Sequence, residues 1–345
     1  MTRRLAEVAS RAGVSEATVS RVLNSKPGVS DATRSRVLTA LDVLGYERPS
    51  KLRGERARLV GLVLPELQNP IFPALAEVVG SLLSQSGLTP VLCTQTTGDA
   101  SEAEYVDMLL EQQQVAGIIF AGGHYSQADA DHAHYERLAR RKLPVVLINA
   151  GIDGLPFPRV VCDDASAAEQ ALEHLCSLGH TRIGLVLGPR DHQPSARKLD
   201  AARDVLTAAG CPLDEALVAH CQFSLQAGQA VATTLIARGA TALVCASDPL
   251  ALGAIRAARR AGLRVPDDVS IIGYDDSAFM SSVEPPLTTV RQPIEAMGRA
   301  AVAALLAQVR GEDPPSDELL FEPELVVRKS TRPANGGRVP ASSER

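Results

Sequence analysis

From Leu59 onward, short apolar runs rich in β-branched residues alternate with alanine-rich stretches of helical period. The runs are LVGLVL (59–64), TPVLCT (89–94), GIIFA (117–121), PVVLIN (144–149), RVVC (159–162), RIGLVLG (182–188), ALVCAS (242–247) and VSIIGYD (269–275). A strand that is apolar on both sides must be covered on both faces, and intervening helices supply that cover in parallel sheets. The pattern predicts doubly wound α/β lobes on parallel sheets. With 345 residues and 45% hydrophobic content, more than one domain is expected.

In such sheets ligands bind outside the carboxyl ends of the strands. Polar residues at those ends are therefore the candidates. Asn149 follows VVLI, Ser247-Asp248 follow ALVCA, Asp275-Asp276 follow IIGY, and Gln68-Asn69-Pro70-Ile71-Phe72 follow the first run. Amides, hydroxyls and a carboxylate beside aromatic faces suit a polyhydroxylated ligand, because each sugar hydroxyl both donates and accepts. Any one of these residues could instead cap the next helix.

The first 58 residues differ in charge. They hold 12 of the 35 basic residues and 6 of the 40 acidic ones, a net of +6 against −11 for the rest. A basic head on an acidic body points to a nucleic-acid-binding module. Leu5, Val8, Ala9 and Ala12 recur at helical spacing before a turn at Gly13. Ser15 can cap a second helix, with Val19, Val22 and Leu23 on one side and Glu16, Ala17, Ser20 and Arg21 on the other. Pro27-Gly28 breaks the chain. Ser30 can cap a third helix whose inner face is Val37, Leu38, Leu41 and Leu44, and Gly45 can end it. Together these make a helix-turn-helix. Arg48, Lys51, Arg53, Arg56 and Arg58 follow as a basic linker.

LAEVASRAGVSEATVSRVLNSKPGVSDATRSRVLTALDVLGY resembles the DNA-binding head of the LacI family. The resemblance implies that Glu16, Ala17 and Arg21 read bases in the major groove. It implies phosphate contact or capping for Ser15, Thr18, Ser20, Asn24, Ser30, Thr33 and Arg34. The chemistry agrees, since an arginine can donate two bonds to guanine and a methyl can meet a thymine methyl. Glu16 could equally be a favourable charge on the helix dipole. In the family the linker forms a hinge helix in the minor groove, which makes Leu52 the wedging leucine. Here the linker is shorter and carries Pro49 and Gly54, and the other reading is a flexible tether.

ELQNPIFPAL, SLGHTRIGLVLGP, CASDPLALGAIRAARRAGLRVPDDVSIIGYDDS and PPLTTVRQP resemble the regulatory core of the same family, shared with periplasmic sugar-binding proteins. By matching position, Phe72, Asn149, Phe223, Ser247, Asp248, Asp275 and Gln292 would contact an effector. In SARKLDAAR, Arg197 or Lys198 would supply a basic group, which would also suit a phosphosugar or an acid. The resemblance implies chain crossings between lobes near Asp153–Arg159, Ser281–Thr288 and Leu319–Glu322.

The expected organisation is a helix-turn-helix head (1–46), a basic hinge (47–58), a two-lobe effector-binding and dimerisation core (59–331) and a disordered tail (332–345). The expected function is a transcriptional regulator, a repressor, acting as a homodimer on a pseudo-palindromic double-stranded operator. A small molecule, a sugar or sugar derivative, would modulate it, with no cofactor. The competing readings are a sugar-binding sensor without DNA and an α/β enzyme with a fused head. No GxSxG elbow or complete phosphate-binding motif supports catalysis. Asp131-His132-Ala133-His134 does not suggest a metal, because histidines at i and i+2 on a helix face apart. The six cysteines form no CxxC pair and are expected to be reduced. There is no apolar run of 18 residues, and MTRRLAEVASRAG lacks a signal-peptide core, so no membrane and a cytoplasmic location are expected.

Overall fold

The computed structural model describes residues 2–23, 28–44, 58–94, 101–111, 115–312 and 318–334. The chain divides into two compact units, Met1–Arg58 and Leu59–Arg345.

The first unit holds three helices: α1 (Thr2–Ala12), α2 (Glu16–Leu23) and α3 (Asp31–Val43). Gly13 turns the chain at φ 66°, in the left-handed region where glycine is unstrained. The Ser15 hydroxyl accepts the Thr18 amide at 3.2 Å, and the Ser30 hydroxyl accepts the Thr33 amide at 3.3 Å. Both serines therefore satisfy orphan donors at helix starts. Val8, Ala9, Ala12, Val19, Val22, Val37, Ala40 and Leu41 form the buried core of this unit. Asn24, Gly45 and the linker from residue 45 to 57, including Leu52, lie outside the described residues.

The second unit contains two six-stranded sheets. The first-lobe sheet has β1 (Arg58–Leu64), β2 (Leu88–Thr94), β3 (Val115–Phe120), β4 (Val145–Ile148), β5 (Arg159–Cys162) and β11 (Glu318–Phe321). The second-lobe sheet has β6 (Ile183–Leu187), β7 (Val218–His220), β8 (Ala242–Cys245), β9 (Ser270–Asp275), β10 (Thr288–Arg291) and β12 (Glu324–Val326). Their orders are β11-β5-β4-β3-β1-β2 and β12-β10-β9-β8-β6-β7. Apart from the antiparallel β10–β12 pair, the described pairings are parallel. The doubly wound α/β fold expected from the alternating pattern is the fold found.

Helices cover both faces of each sheet. In the first lobe α4 (Ile71–Gln85) and α11 (Ile294–Val309) take one face, and α5 (Glu102–Glu111) and α6 (Ala133–Arg140) take the other. In the second lobe α7 (Asp164–Ser177) and α8 (Gln193–Ala208) oppose α9 (Leu225–Ala237) and α10 (Asp248–Arg260). The described cysteines are all free.

The chain crosses between lobes at Cys162–Asp164, Arg291–Ile294 and Phe321–Glu324. The third agrees with expectation and the first two do not. The spacing puts RVVC on the far side of a crossing, yet it pairs in parallel with β4 and β11 in the first-lobe sheet. TTVR is too short and polar to read as a strand, so the crossing after it was placed before it.

α9 and α10 pack with their backbones in contact. A Cβ on Gly253 would lie 2.3 Å from the Leu225 carbonyl oxygen and 2.6 Å from the Gln229 nitrogen. No flexible side chain can yield there, so the two helices would have to part. Gly253→Ala is expected to cost about 3 kcal/mol, the upper end of ordinary overpacking. Thermal unfolding checks this, and an unchanged midpoint would mean that the helices separate freely.

Candidate effector cavity and nucleic-acid interface

The carboxyl ends of the two sheets face each other across a cavity of about 460 Å³. That falls within the usual range for small-molecule sites. Segments after β1, β3 and β4 and the start of α11 line it from the first lobe, and the start of α7 with segments after β6 to β10 line it from the second.

Of the residues singled out in the sequence, Phe72, Asn149, Lys198, Phe223, Ser247, Asp275 and Gln292 line the cavity. Ser247 has a second task, since its hydroxyl accepts the Leu250 amide and caps α10. Asp248 and Arg197 are not in the cavity wall. The fully buried Asp248 carboxylate accepts the Ser277 amide at 2.7 Å and the Thr289 hydroxyl at 2.6 Å. It braces β10 and the loop after β9 rather than facing a ligand. The Arg197 guanidinium reaches the Asn149 carbonyl and Glu318, each at 2.8 Å, and Asp164 at 3.2 Å.

Asp275 sits where the lobes meet. Its Oδ2 accepts from Asn69 Nδ2 of the first lobe at 3.0 Å, and its Oδ1 accepts from Gln292 Nε2 at 2.8 Å. Burial, then the nearby Asp248 charge, pushes its carboxyl well above the ordinary carboxylate range, against the pull of both amides. Its backbone is strained, with φ 118°, and Asp276 follows at φ 53°. Arg291 and Arg328 hold the Asp276 carboxylate and so fix this turn. Asn149, at φ 74°, donates from Nδ2 to Gln292 Oε1 at 3.3 Å. Amides from both lobes thus converge on one carboxyl group.

The basic group in the wall is already spent. Lys198 Nζ pairs with Asp164 Oδ1 and lies 4.1 Å from the Tyr274 ring centroid. Among the described lining residues no other lysine or arginine appears. His192 adds a neutral group, because burial, then Lys198 and Arg197, lower its pKa to about 3. Ser195 Oγ accepts the Gly188 amide at 3.1 Å and lies 2.9 Å from His192 Nδ1. His192 was missed in the sequence, although its place five residues beyond β6 satisfies the strand-end rule. Asn69 was noted in its segment but given no role.

In the first unit, Glu16, Ala17 and Arg21 are exposed on α2, opposite the buried Val19 and Val22. Ser15 and Ser30 are exposed, and Thr18, Ser20, Thr33 and Arg34 are half-buried. One face of α2 is therefore free for a partner while the other holds the helices together.

Residues 4–49 match the family model described as bacterial regulatory proteins, lacI family, and residues 172–331 match a periplasmic binding protein-like domain. The HTH-type transcriptional regulator reg1 of Streptomyces lividans is 53% identical, over 98% of this chain and 99% of its own length. The chain belongs to the LacI family of bacterial regulatory proteins. It is a transcriptional regulator, and its relatives carry the names of regulators rather than catalysts. Two solved structures extend the likeness of this LacI-family chain. A complex of the transcriptional regulator CelR with cellobiose has a TM-score of 0.71 and 34% identity, covering 94% of this chain and 99% of that one. The lac repressor dimer bound to operator and the anti-inducer ONPF has a TM-score of 0.74 and 29% identity, covering 94% and 98%. Among the described residues of this LacI-family chain, no helix is long and apolar enough to cross a membrane.

Proposed function

We propose that this regulator is a repressor whose heads, paired in a homodimer, read a pseudo-palindromic operator, and whose affinity is set by a neutral sugar enclosed between the lobes. The observation that carries the sugar is the chemistry of the cavity wall. Amides from both lobes surround a carboxyl group held largely uncharged, beside the aromatic faces of Phe72, Phe223 and Tyr274. The one lysine or arginine among its described lining residues is paired with Asp164. A phosphate would meet no unpaired positive partner there, so the phosphosugar and acid classes suggested by the sequence are disfavoured. The CelR–cellobiose complex supports a sugar of this kind, and the lac repressor dimer on its operator supports the paired heads. Glu16, Ala17 and Arg21 would read bases, with the serines and threonines at the helix starts, and Arg34, on phosphates. A protein that reads chromosomal operators works in the cytoplasm.

Thermal unfolding against glucose, ribose, cellobiose, maltose, lactose and their phosphates tests this reading, followed by operator binding with each compound that stabilises. A neutral sugar at a hundred times its Kd should stabilise the chain by about 2.7 kcal/mol, by mass action. The phosphorylated counterpart should shift the midpoint much less. Equal or larger shifts with phosphosugars would overturn the neutral assignment. Stabilisation without any change in operator affinity would overturn the regulatory one.

A further inference from the structure

The first lobe buries a carboxylate that takes no part in the cavity wall. Glu102, the first residue of α5, has no exposed surface. Its Oε1 accepts from His134 Nε2 at 2.7 Å and from the Tyr135 hydroxyl, and its Oε2 accepts from the His124 backbone N–H at 3.4 Å. Burial would raise its pKa, but the bonds from His134 and Tyr135 more than offset this and leave it below the ordinary value. The group is a charged acceptor surrounded by donors.

Those donors belong to one loop and its support. The Tyr135 hydroxyl gives its proton to Glu102 and accepts the Tyr125 N–H at 3.1 Å. The Tyr125 hydroxyl accepts the Gly122 amide and shares its one proton between the Phe120 and Ile148 carbonyls. His132 Nε2 donates to the His124 carbonyl at 3.1 Å. Gly122 and Gly123, at φ 104° and 131°, take a path that L side chains rarely adopt. The loop from Gly122 to Gln127 forms part of the cavity wall.

The same loop is where the other lobe docks. Gln193 Nε2 donates to the Tyr125 carbonyl at 3.2 Å and to the Gly151 carbonyl at 3.0 Å. Gln127 bridges to His192, and the Ala128 amide donates to the Asp191 carbonyl at 2.9 Å. A continuous series of hydrogen bonds therefore runs from Glu102 through Tyr135 and Tyr125 to Gln193 across the cleft.

We propose that Glu102 is a positioning residue for lobe closure, holding the Gly122–Ala128 wall in the shape that receives Asp191–Gln193 around the effector. The effector part of this rests on the reading of the cavity as a sugar site, whereas the docking of the two segments does not. Glutamine at 102 keeps the shape but offers one acceptor oxygen and adds an amide donor. With its oxygen toward His134 and Tyr135 the amide meets the His124 N–H, donor against donor; turned the other way it forces His134 to change tautomer and Tyr135 to give up its acceptor, so the native set of bonds is lost in either orientation.

Amide hydrogen exchange on the ligand-free chain tests the docking. Glu102→Gln should speed exchange at least tenfold at 122–128 and at 191–193, with the core strands β1, β3 and β4 unchanged. Unchanged exchange at both segments would overturn the proposal, and so would equal acceleration across the whole first lobe, which is the result of a merely structural role. A second arm uses the sugar giving the largest stabilisation of wild type in the panel above. Glu102→Gln and Gln193→Ala should each weaken its binding, and the double variant should be little worse than either alone. Additive losses would break the connection through Tyr125. If no sugar shifts wild type, the cavity reading fails while the exchange result still decides the role of Glu102.

Discussion

Replacing Asp275 by alanine abolishes the expected response to sugar while operator binding without sugar survives, because the groups proposed to read bases lie on α2. The variant loses the acceptor that a ligand hydroxyl would use. It also strands the Asn69 and Gln292 amides that now end on it. Leaving those buried donors unpaired costs about 3 kcal/mol of folding stability in total. The check is a sugar titration followed by melting temperature and by operator binding, and an unchanged dose response would remove Asp275 from the site. Asp275→Asn sharpens the test. Its shape is kept, but its amide must face a donor from Asn69 or Gln292, so sugar binding should still fall. The pH dependence should change as well. A carboxyl raised in the folded state contributes stability that is complete below its unfolded pKa and is lost as pH rises through its folded value. Wild type should therefore lose stability from about pH 4 toward alkaline pH, by the ordinary carboxylate pKa. The asparagine variant should show a shallower slope. A residual slope remains from Asp248, whose carboxyl burial also raises.

Replacing Arg21 by alanine is expected to cost about 1–3 kcal/mol at one base pair of each half-site and to relax specificity there. In a homodimer the loss is felt twice. Arg21 is exposed on the face of α2 opposite Val19 and Val22, so its removal leaves the head core intact. Operator variants at single positions decide the matter. A loss confined to one position marks a base contact, whereas an equal loss on every sequence, with a weaker salt dependence, marks a phosphate contact.

The legible part of this molecule is the part written in local pattern. Eight apolar runs became eight strands, because a buried parallel strand has no polar face to disguise it. The strands that escaped, β7, β10, β11 and β12, lie at or beside sheet edges and are half-exposed or short, as in VAH and ELLF. The head was legible because Ser15 and Ser30 cap helices through bonds only three residues long. The cavity was legible where the strand-end rule applies, as at Asn149, Ser247 and Asp275. The rule could not separate Asp248, which follows the same strand as Ser247 but turns to Thr289 and Ser277. SARKLDAAR offered Arg197 and Lys198 without saying which faced inward, because their acidic partners Asp164 and Glu318 come from distant segments. Glu102 left no trace, since His134 and Tyr135 lie 32 and 33 residues away. In the Asp131–His134 stretch, His134 has a structural partner, Glu102, that spacing could not reveal.

The three crossings have a consequence for how the chain is made. The first-lobe sheet ends in β11, and α11 covers one of its faces, yet both are synthesised after nearly all of the second lobe. Neither lobe is a contiguous piece of chain, so neither can be completed on the ribosome before residue 318 has emerged. Contacts of such long sequence separation carry a large loop-closure cost and slow the search for the native state. The head closes its core within its first 44 residues and has no such wait. Newly made chains therefore pass through an interval in which a DNA-reading module is finished and its regulator is not.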